Sequence, residues 1–197
     1  MSSKLQEFPL FPLNSVIFSG GVLPLRIFES RYLDMVKECM RNEHGFGIVL
    51  IKKGGESGAA ADVFNTGTLC RINDWETLSD GFLGITAFGE SKIQIVSTRV
   101  ESNQLVVGKI KEIEENPDLD LPEEFEPMKL ILQHIISEIR GPYSSLPARY
   151  EFAGWVGARL TELLPLQLPV KQRLLEMDDH IVRLHHLKEA MQESKFL

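Results

Sequence analysis

Two glycine patterns in the chain could bind phosphate groups. Residues 84–90 have the glycine spacing of a phosphate loop, in which backbone N–H groups surround the phosphates and a following lysine neutralises them. Glu90 stands where that lysine is required, and its carboxylate would repel a phosphate. In the second pattern, which begins at Gly45, Leu50 occupies the third glycine position of a dinucleotide-binding loop. Neither pattern supports a nucleotide site, so we predict no cofactor.

The candidate nucleophiles lack the neighbours that would activate them. Residues 55–59, Gly-Glu-Ser-Gly-Ala, miss the final glycine of the hydrolase nucleophile elbow. Cys39 would need a histidine base, and the spacing to His44, near a helix end, does not place the two side chains face to face. Cys39 and Cys70 are too few for a disulfide framework, and we expect both to be reduced and buried. We therefore predict no catalytic residue.

The histidines and acidic residues do not have the spacing of a strong metal motif. Glu176 and His180 are four residues apart, which is the separation of two ligands on one helix. A break in the helical pattern after Met177 separates them, and we expect both on a solvated helix surface. His134 lies beside an apolar stripe and is interpreted as a boundary residue. We predict no metal site.

Composition and charge limit the class of protein. The chain has 197 residues, a hydrophobic content of 43% and a formal net charge of −7. This apolar fraction is typical of globular proteins, and the length can hold two small domains. The longest apolar run, residues 46–51, is far shorter than the ~20 residues of a membrane span, and the N-terminus lacks a signal-peptide pattern. We therefore predict a soluble, cytoplasmic protein with no membrane association.

The acidic residues are concentrated in one segment. Residues 112–126 contain eight of the 28 acids and no Lys or Arg, so the rest of the chain is close to neutral. We favour a solvated linker followed by an acid-rich first helical turn, where carboxylates complement the helix dipole. An acidic docking surface for a basic partner is the alternative. The largest basic group is only Lys52-Lys53, which disfavours nucleic-acid binding.

Short apolar stretches typical of strands fill residues 1–116. We predict strands over residues 10–13, 22–28, 46–51, 67–75, 82–88, 92–100 and 105–113. The glycine-containing segment 89–91 is interpreted as a turn between two of them. One helix interrupts the strands, with Ser30 as its N-terminal cap. Its apolar face consists of Tyr32, Val36, Cys39 and Met40.

The period becomes helical over residues 117–197. We predict four helical segments, over residues 125–139, 152–163, 169–177 and from about 180 to 191. Gly141-Pro142 and Pro165 end the first two, and Asp178 or Asp179 can cap the last. The predicted fold class is α+β, with a β-rich domain over 1–116 and an α-helical domain over 117–197.

The N-terminal segment carries a long and specific pattern. Residues 8–13 read Phe-Pro-Leu-Phe-Pro-Leu, and residues 20–32 read Gly-Gly-Val-Leu-Pro-Leu-Arg-Ile-Phe-Glu-Ser-Arg-Tyr. This pattern resembles the opening of the N-terminal, substrate-binding domain of Lon proteases, which also occurs as free-standing Lon-domain proteins. Shorter blocks at 67–72, 80–81, 89–93, 163–165 and 171–176 extend the resemblance in the same order. Ser19 departs from the proline that is common in the family, and we expect only a local change in the turn.

The resemblance implies a PUA-like β pseudo-barrel with one inserted helix, followed by a C-terminal α-helical bundle. It implies the substrate-engaging domain of the family, without the ATPase module or the Ser-Lys peptidase module, and therefore no enzyme. We expect the apolar residues of the first block in the core: Phe8, Leu10, Phe11, Leu25, Ile27 and Phe28. We expect Arg26, Glu29 and Arg31, beside Tyr32, to pair with each other or with backbone and to stabilise the strand-to-helix turn. A binding cluster is the alternative.

The resulting hypothesis is a non-catalytic protein-interaction module that binds polypeptide substrates or partner proteins. Trp75, Leu78 and Phe82 flank the turn predicted at Asp80-Gly81 and are the candidate contact residues, with ordinary packing as the alternative. A PUA-like RNA-binding module and an enzyme of unrecognised type are the other two functional alternatives. The oligomeric state does not follow from the sequence.

Overall fold

The computed structural model describes residues 5–194 of the chain. The chain divides into two compact units, Met1–Glu114 and Glu115–Leu197, whereas the sequence-based boundary lies between residues 116 and 117. Within the described residues, the first unit contains six strands and one α-helix, and the second contains four α-helices. The fold class is therefore α+β.

The strands of the first unit form one mixed sheet. They are β1 (Gln6–Leu13), β2 (Val22–Ile27), β3 (Phe46–Lys53), β4 (Asp62–Thr77), β5 (Leu83–Val100) and β6 (Val106–Glu112). The order is β2-β5-β4-β3-β1-β6, and an additional β5–β6 pairing closes all of them except β2 into a ring. Strands β1 and β3 are parallel, while the other pairs are antiparallel. Closure pairs most strand edges, but the long strands β4 and β5 extend beyond some of their neighbours.

Helix α1 (Ser30–Asn42) lies between β2 and β3 along the chain, and it contributes its apolar face to the core. Tyr32, Met35, Val36 and Cys39 are buried on that face. They pack in one cluster with residues of the sheet that include Phe11 and Ile85. Leu10, Ile93 and Ile110 belong to a second buried cluster in the same unit. The predicted helix and its inward face are therefore present, except that Met40 is 44% exposed.

The turn predicted at residues 89–91 is wrong, because β5 runs without interruption from Leu83 to Val100. A Cβ atom on Gly89 would lie 2.3 Å from the carbonyl oxygen of Phe18, so glycine is required there by the close approach of a second backbone. The register between β4 and β5 shifts by one residue at Glu90. The glycine therefore marks a β-bulge within one long strand.

Two details of the N-terminal block also differ from expectation. Phe28 was expected in the core but is 55% exposed, because Ile27 faces the core and successive strand residues alternate between faces. The residue before α1 is Glu29, and its side chain makes no capping hydrogen bond; Ser30 is already the first helical residue. The N-cap position is therefore Glu29, one residue before the predicted Ser30, and no side chain caps the helix there.

The second unit contains α2 (Glu126–Glu138), α3 (Ala153–Leu163), α4 (Leu168–Glu176) and α5 (His180–Glu193). Residues 153–161 of α3 are all buried, so this helix is surrounded by the rest of its unit. Of the two predicted candidates, Asp179 caps α5, since its carboxylate accepts hydrogen bonds from two N–H groups of the first turn. Asp118, in the acidic segment, accepts a hydrogen bond of 2.6 Å from Gly154 N at the start of α3. Part of that segment therefore has a structural role.

Candidate functional site

The turn between β4 and β5 is the tight turn that the sequence predicts at Asp80-Gly81. Leu78 N donates to Phe82 O and Gly81 N donates to Leu78 O, both at 2.8 Å. Asp80 Oδ1 accepts from Phe82 N at 3.1 Å. Gly81 has a φ of +83°, a conformation that glycine adopts without steric cost. The turn holds Leu78 and Phe82 close together at the end of the hairpin.

Arg26 on β2 completes a surface cluster with these two residues. Its guanidinium lies 2.9 Å from Asp80 Oδ2 and 4.3 Å from the centroid of the Phe82 ring. Leu78 covers Gly84, where an added Cβ would be 2.9 Å from the leucine Cδ2 atom. Because Arg26 is opposite Gly84 in the sheet, the cluster occupies one face of the hairpin. Within residues 5–194, Arg26 therefore pairs with Asp80 at the turn, and not with Glu29, Arg31 or backbone as the sequence predicts.

Trp75 lies on the opposite face of the same hairpin. It is directly opposite Ile85, whereas Glu76, one residue further, shares the face of Gly84 and Leu78. Ile85 is buried in the core, but 57% of the surface of Trp75 is exposed to solvent. The structure thus brings Leu78 and Phe82 together and separates Trp75 from them.

Trp75 lines a groove of about 500 Å³, which we call the Trp75 groove. Its walls are residues 39, 40 and 43–45 at the C-terminal end of α1, residues 71–75 of β4, and Glu90. The exposed side chain of Met40 adds apolar surface. Arg71 stacks on Phe88 at 4.9 Å and lies 3.4 Å from Glu90 Oε1, so its charge is already balanced. The groove combines a few apolar side chains with an excess of acidic ones.

Cys39 lies in the wall of this groove but has the properties of a structural residue. Its Sγ atom donates to Gly45 O at 3.6 Å, and burial raises the pKa of the thiol to about 12. A thiol with so high a pKa is protonated at neutral pH and is a poor nucleophile. Within residues 5–194, Cys39 and Cys70 are both buried and neither forms a disulfide, as the sequence predicts.

The strand-to-helix segment after β2 contains a buried arginine. Arg31 Nη1 donates to Gln104 O at 2.8 Å, and Nη2 lies 3.2 Å from Glu29 Oε2. The guanidinium also stacks on Tyr32, 4.6 Å from the ring centroid. Burial raises the pKa of the Tyr32 hydroxyl to about 12. These contacts give Glu29, Arg31 and Tyr32 a positioning role at the start of α1.

Buried polar groups in the second unit form separate structural networks. The Arg159 guanidinium lies 2.7 Å from Glu162 Oε2, and both side chains are almost completely buried. His180 Nε2 is 3.0 Å from Asn116 O, whereas Glu176 accepts a hydrogen bond from Gln172. Glu176 and His180 therefore have different partners, and the predicted solvated position is wrong for His180, which is buried. Among residues 5–194, no group of three His, Cys, Asp or Glu side chains is arranged to hold a metal ion.

A second cleft in the first unit, of about 580 Å³, has the opposite charge. It lies where β4 and β5 separate, and Lys52, Lys53 and Asp62 line it with several small and apolar residues. Nearby on β5, Val96 is 58% exposed and lies outside both clefts. Val96 therefore offers a matched exposed apolar position away from Trp75.

Sequence reasoning identified Trp75 but missed most of its surroundings. Met40 is predicted on the core face of α1, His44 enters only as a possible base for Cys39, and Glu43 and Asp74 carry no functional prediction. Glu43 has a left-handed backbone with a φ of +52°, which ends the helix and directs the chain toward β3. No local pattern marks such a groove, because it depends on the pairing of β3 with β4 at Phe46 and Cys70.

A family model for the ATP-dependent protease La (LON) substrate-binding domain matches residues 7–193. The Lon protease of Cytophaga hutchinsonii is 24% identical over 196 residues, covering 93% of this chain and 24% of that protein. The Lon protease of Anaeromyxobacter dehalogenans is 26% identical over 142 residues, covering 71% of this chain and 17% of that protein. The chain thus spans a quarter or less of these curated relatives.

Solved structures agree with the family model. A crystal structure of a Lon N-terminal domain protein from Xanthomonas campestris has a TM-score of 0.76 and 34% identity, covering 93% of this chain and 98% of that one. The N-terminal domain of Mycobacterium avium complex Lon protease has a TM-score of 0.60 at 13% identity, covering 95% and 98%, and supports the fold alone. No described helix is long and apolar enough to span a bilayer. The chain belongs to the family of Lon substrate-binding domains.

Proposed function

We propose that this chain is a non-catalytic interaction module that binds polypeptide substrates or partner proteins, with the Trp75 groove as its contact site. The observation that carries the proposal is a tryptophan that exposes 57% of its surface within a concave groove. Large aromatic side chains contribute much of the binding energy at protein interfaces. Met40 extends the apolar surface beside Trp75.

Membership of the family of Lon substrate-binding domains supports the proposed binding of polypeptide. The matching family model is named for substrate binding, and the Lon relatives match this chain over that part of their length. We propose that the module is PUA-like and resembles the peptidase S16 Lon family without carrying its ATPase or peptidase chemistry. We also propose that it acts in the cytoplasm. The cluster of Leu78, Phe82 and Arg26 lies on the opposite face of the hairpin and is proposed as a secondary contact.

The charge around the groove favours a protein ligand over a nucleic acid. Glu43 and Asp74 line the groove, and neither has an ion-pair partner within residues 5–194. Their carboxylates would repel phosphate groups, whereas Arg71 is already paired with Glu90. We therefore propose that nucleic acid is not the ligand of this site.

The direct test is a binding titration with a permanently unfolded polypeptide. Fluorescein-labelled lysozyme that has been reduced and carboxyamidomethylated is such a probe, and its basic charge suits the groove. Saturable binding by fluorescence anisotropy is expected, and it should weaken when Trp75 is replaced by alanine. The matched control is Val96→Ala, which changes an equally exposed apolar side chain outside the groove.

The expected effect of Trp75→Ala follows from the exposed area. A tryptophan of ~150–250 Å² that is 57% exposed offers roughly 85–140 Å² to a ligand. At ~25 cal/mol per Å², complete burial of this surface would contribute at most about 2–3.5 kcal/mol to the binding free energy. Burial of half of it would contribute about 1–2 kcal/mol, which corresponds to roughly 5–30-fold in Kd. Absence of binding at high micromolar polypeptide, or equal losses in Trp75→Ala and Val96→Ala, would refute the proposed site.

A further inference from the structure

The Trp75 groove follows the edge of a strand. It is lined by five consecutive residues of β4, from Arg71 to Trp75. Because side chains on a strand alternate between faces, a pocket against one face would contact only every second residue. Contact with consecutive residues therefore places the groove along the backbone edge of β4.

That edge lacks a neighbouring strand. β3 pairs with β4 only as far as Phe46 opposite Cys70, while β4 continues to Thr77. On the other side, β4 remains paired with β5 through Thr77 opposite Leu83. Within residues 5–194, the last part of β4 is thus the outer edge of the three-stranded sheet β2-β5-β4.

The hydrogen-bond pattern identifies which backbone groups face the open edge of β4. Leu78 N donates to Phe82 O, so these residues form a hydrogen-bonded pair. In an antiparallel ladder such pairs alternate with non-bonded pairs, whose N–H and C=O groups point away from the partner. Trp75 and Thr77 are in the non-bonded positions relative to β5. Their backbone groups therefore point to the open edge.

Asp74 supports this assignment and protects the edge. Its Oδ1 atom accepts a hydrogen bond of 2.8 Å from Trp75 N, the amide that faces away from β5. A β-bulge at Asn73 also interrupts the ladder. Charged side chains and bulges are common devices that prevent uncontrolled pairing at an open edge.

We propose that the Trp75 groove binds its polypeptide as an added β-strand along Trp75 and Thr77, with apolar and basic side chains in the bound segment. This inference rests on the proposed function and specifies its mode. Backbone pairing supplies affinity that is independent of side-chain identity, which suits a module that binds many sequences. Trp75 and Met40 select apolar residues, and Glu43 and Asp74 select basic ones. Asp74 must release Trp75 N before the added strand can pair with it.

The test uses a capped hexapeptide, acetyl-Lys-Phe-Thr-Leu-Lys-Thr-amide, and two N-methylated versions. One version is methylated at residues 1, 3 and 5, and the other at residues 2, 4 and 6. Only alternate N–H groups of an added strand face its neighbour, and the alternating side chains oppose a one-residue slip. One methylated peptide should therefore bind at least tenfold more weakly than the parent, and the other within about twofold.

Two variants of Asp74 test the protecting hydrogen bond. Asp74→Asn removes the charge but keeps an oxygen acceptor for Trp75 N, whereas Asp74→Ala removes both. The parent peptide should bind roughly fivefold more tightly to Asp74→Ala than to Asp74→Asn, because one backbone N–H is released. Sedimentation at the titration concentrations checks that all proteins have the same assembly state.

The outcomes separate the two proposals. If the parent peptide binds and Trp75→Ala weakens its binding, but both methylated peptides lose the same affinity, strand addition is wrong and the proposed function stands. Equal affinity of Asp74→Ala and Asp74→Asn also counts against strand addition. If the parent peptide fails to bind at millimolar concentration while unfolded lysozyme binds and Trp75→Ala weakens that binding, strand addition is wrong and the proposed function stands; if neither ligand binds, both proposals fail.

Discussion

The buried ion pair of α3 allows a stability prediction that can be worked from the structure. Arg159 and Glu162 are one helical turn apart, with side-chain exposures of 0% and 2%. Arg159 Nε lies 2.7 Å from Glu162 Oε2, and Arg159 Nη2 donates to Glu162 Oε1 at 2.8 Å. Tyr143 Oη also donates to Glu162, at 3.0 Å. The perturbation is Glu162→Gln, which keeps the shape of the side chain and removes its charge.

The expected loss is large because the arginine stays buried without this carboxylate. Removing one partner of a buried ion pair typically costs about 3–5 kcal/mol, against a total stability of about 5–15 kcal/mol for a domain. With a urea m-value of ~2 kcal/mol/M, the unfolding midpoint should fall by about 2 M. The double variant Arg159→Met/Glu162→Gln should recover part of this loss, because it no longer leaves a charge buried.

The assay is urea unfolding followed by circular dichroism and by tryptophan fluorescence. Trp155 lies on α3 and reports the second unit, while Trp75 reports the first. The transition seen through Trp155 should move, and double-mutant analysis should give a coupling energy above about 1 kcal/mol. A loss below about 1 kcal/mol in Glu162→Gln would refute the view that this pair is buried and strongly coupled.

Four further measurements test other parts of the structure. Gly89→Ala should destabilise the chain by at least about 2 kcal/mol, because its Cβ would lie 2.3 Å from Phe18 O; a neutral urea midpoint would contradict that close approach. Asp179→Ala should cost about 1 kcal/mol by removing the cap of α5, and Asp179→Asn should cost less. Burial raises the pKa of Tyr32 to about 12, so the stability contributed by its protonated hydroxyl is present below pH 10 and is lost as the pH rises through 12. If the stability of Tyr32→Phe falls with pH as much as that of the unchanged chain, Tyr32 is not the source of the loss. Cys39 should react with iodoacetamide slowly in the folded chain and quickly in urea, since its pKa is raised to about 12; rapid labelling of the native protein would contradict its burial.

Much of the fold follows from local patterns. The proline-interrupted strands, the amphipathic helix α1 and a cap of α5 at Asp178 or Asp179 are predictable because each depends on a few neighbouring residues. The turn predicted at residues 89–91 is wrong because a glycine in a strand can have two different causes. It permits a turn, but it also permits close contact with another backbone, and only the position of Phe18 decides between them.

The candidate site was predictable only in part. Trp75 and Phe82 stand out as aromatic residues beside a turn, but the residues between them decide their faces. Trp75 and Leu78 are an odd number of positions apart, so the alternation of side chains along a strand predicts that they lie on opposite sides of the hairpin. The groove itself depends on where β3 ends relative to β4, and Arg26 meets Asp80 only because β2 adds to β5. Such pairings are nonlocal and leave no mark in the sequence spacing.

Fluorine NMR of the chain labelled with 5-fluorotryptophan tests polypeptide binding at the level of Trp75 itself. The chain has two tryptophans, Trp75 and Trp155, so two resonances are expected and can be assigned with Trp75→Phe. Trp155 is buried in the second unit and serves as the internal reference. On titration with unfolded lysozyme, we expect a saturable shift of the Trp75 resonance while the Trp155 resonance stays unchanged. Saturable binding by anisotropy without any change in the Trp75 resonance would show that polypeptide binds elsewhere.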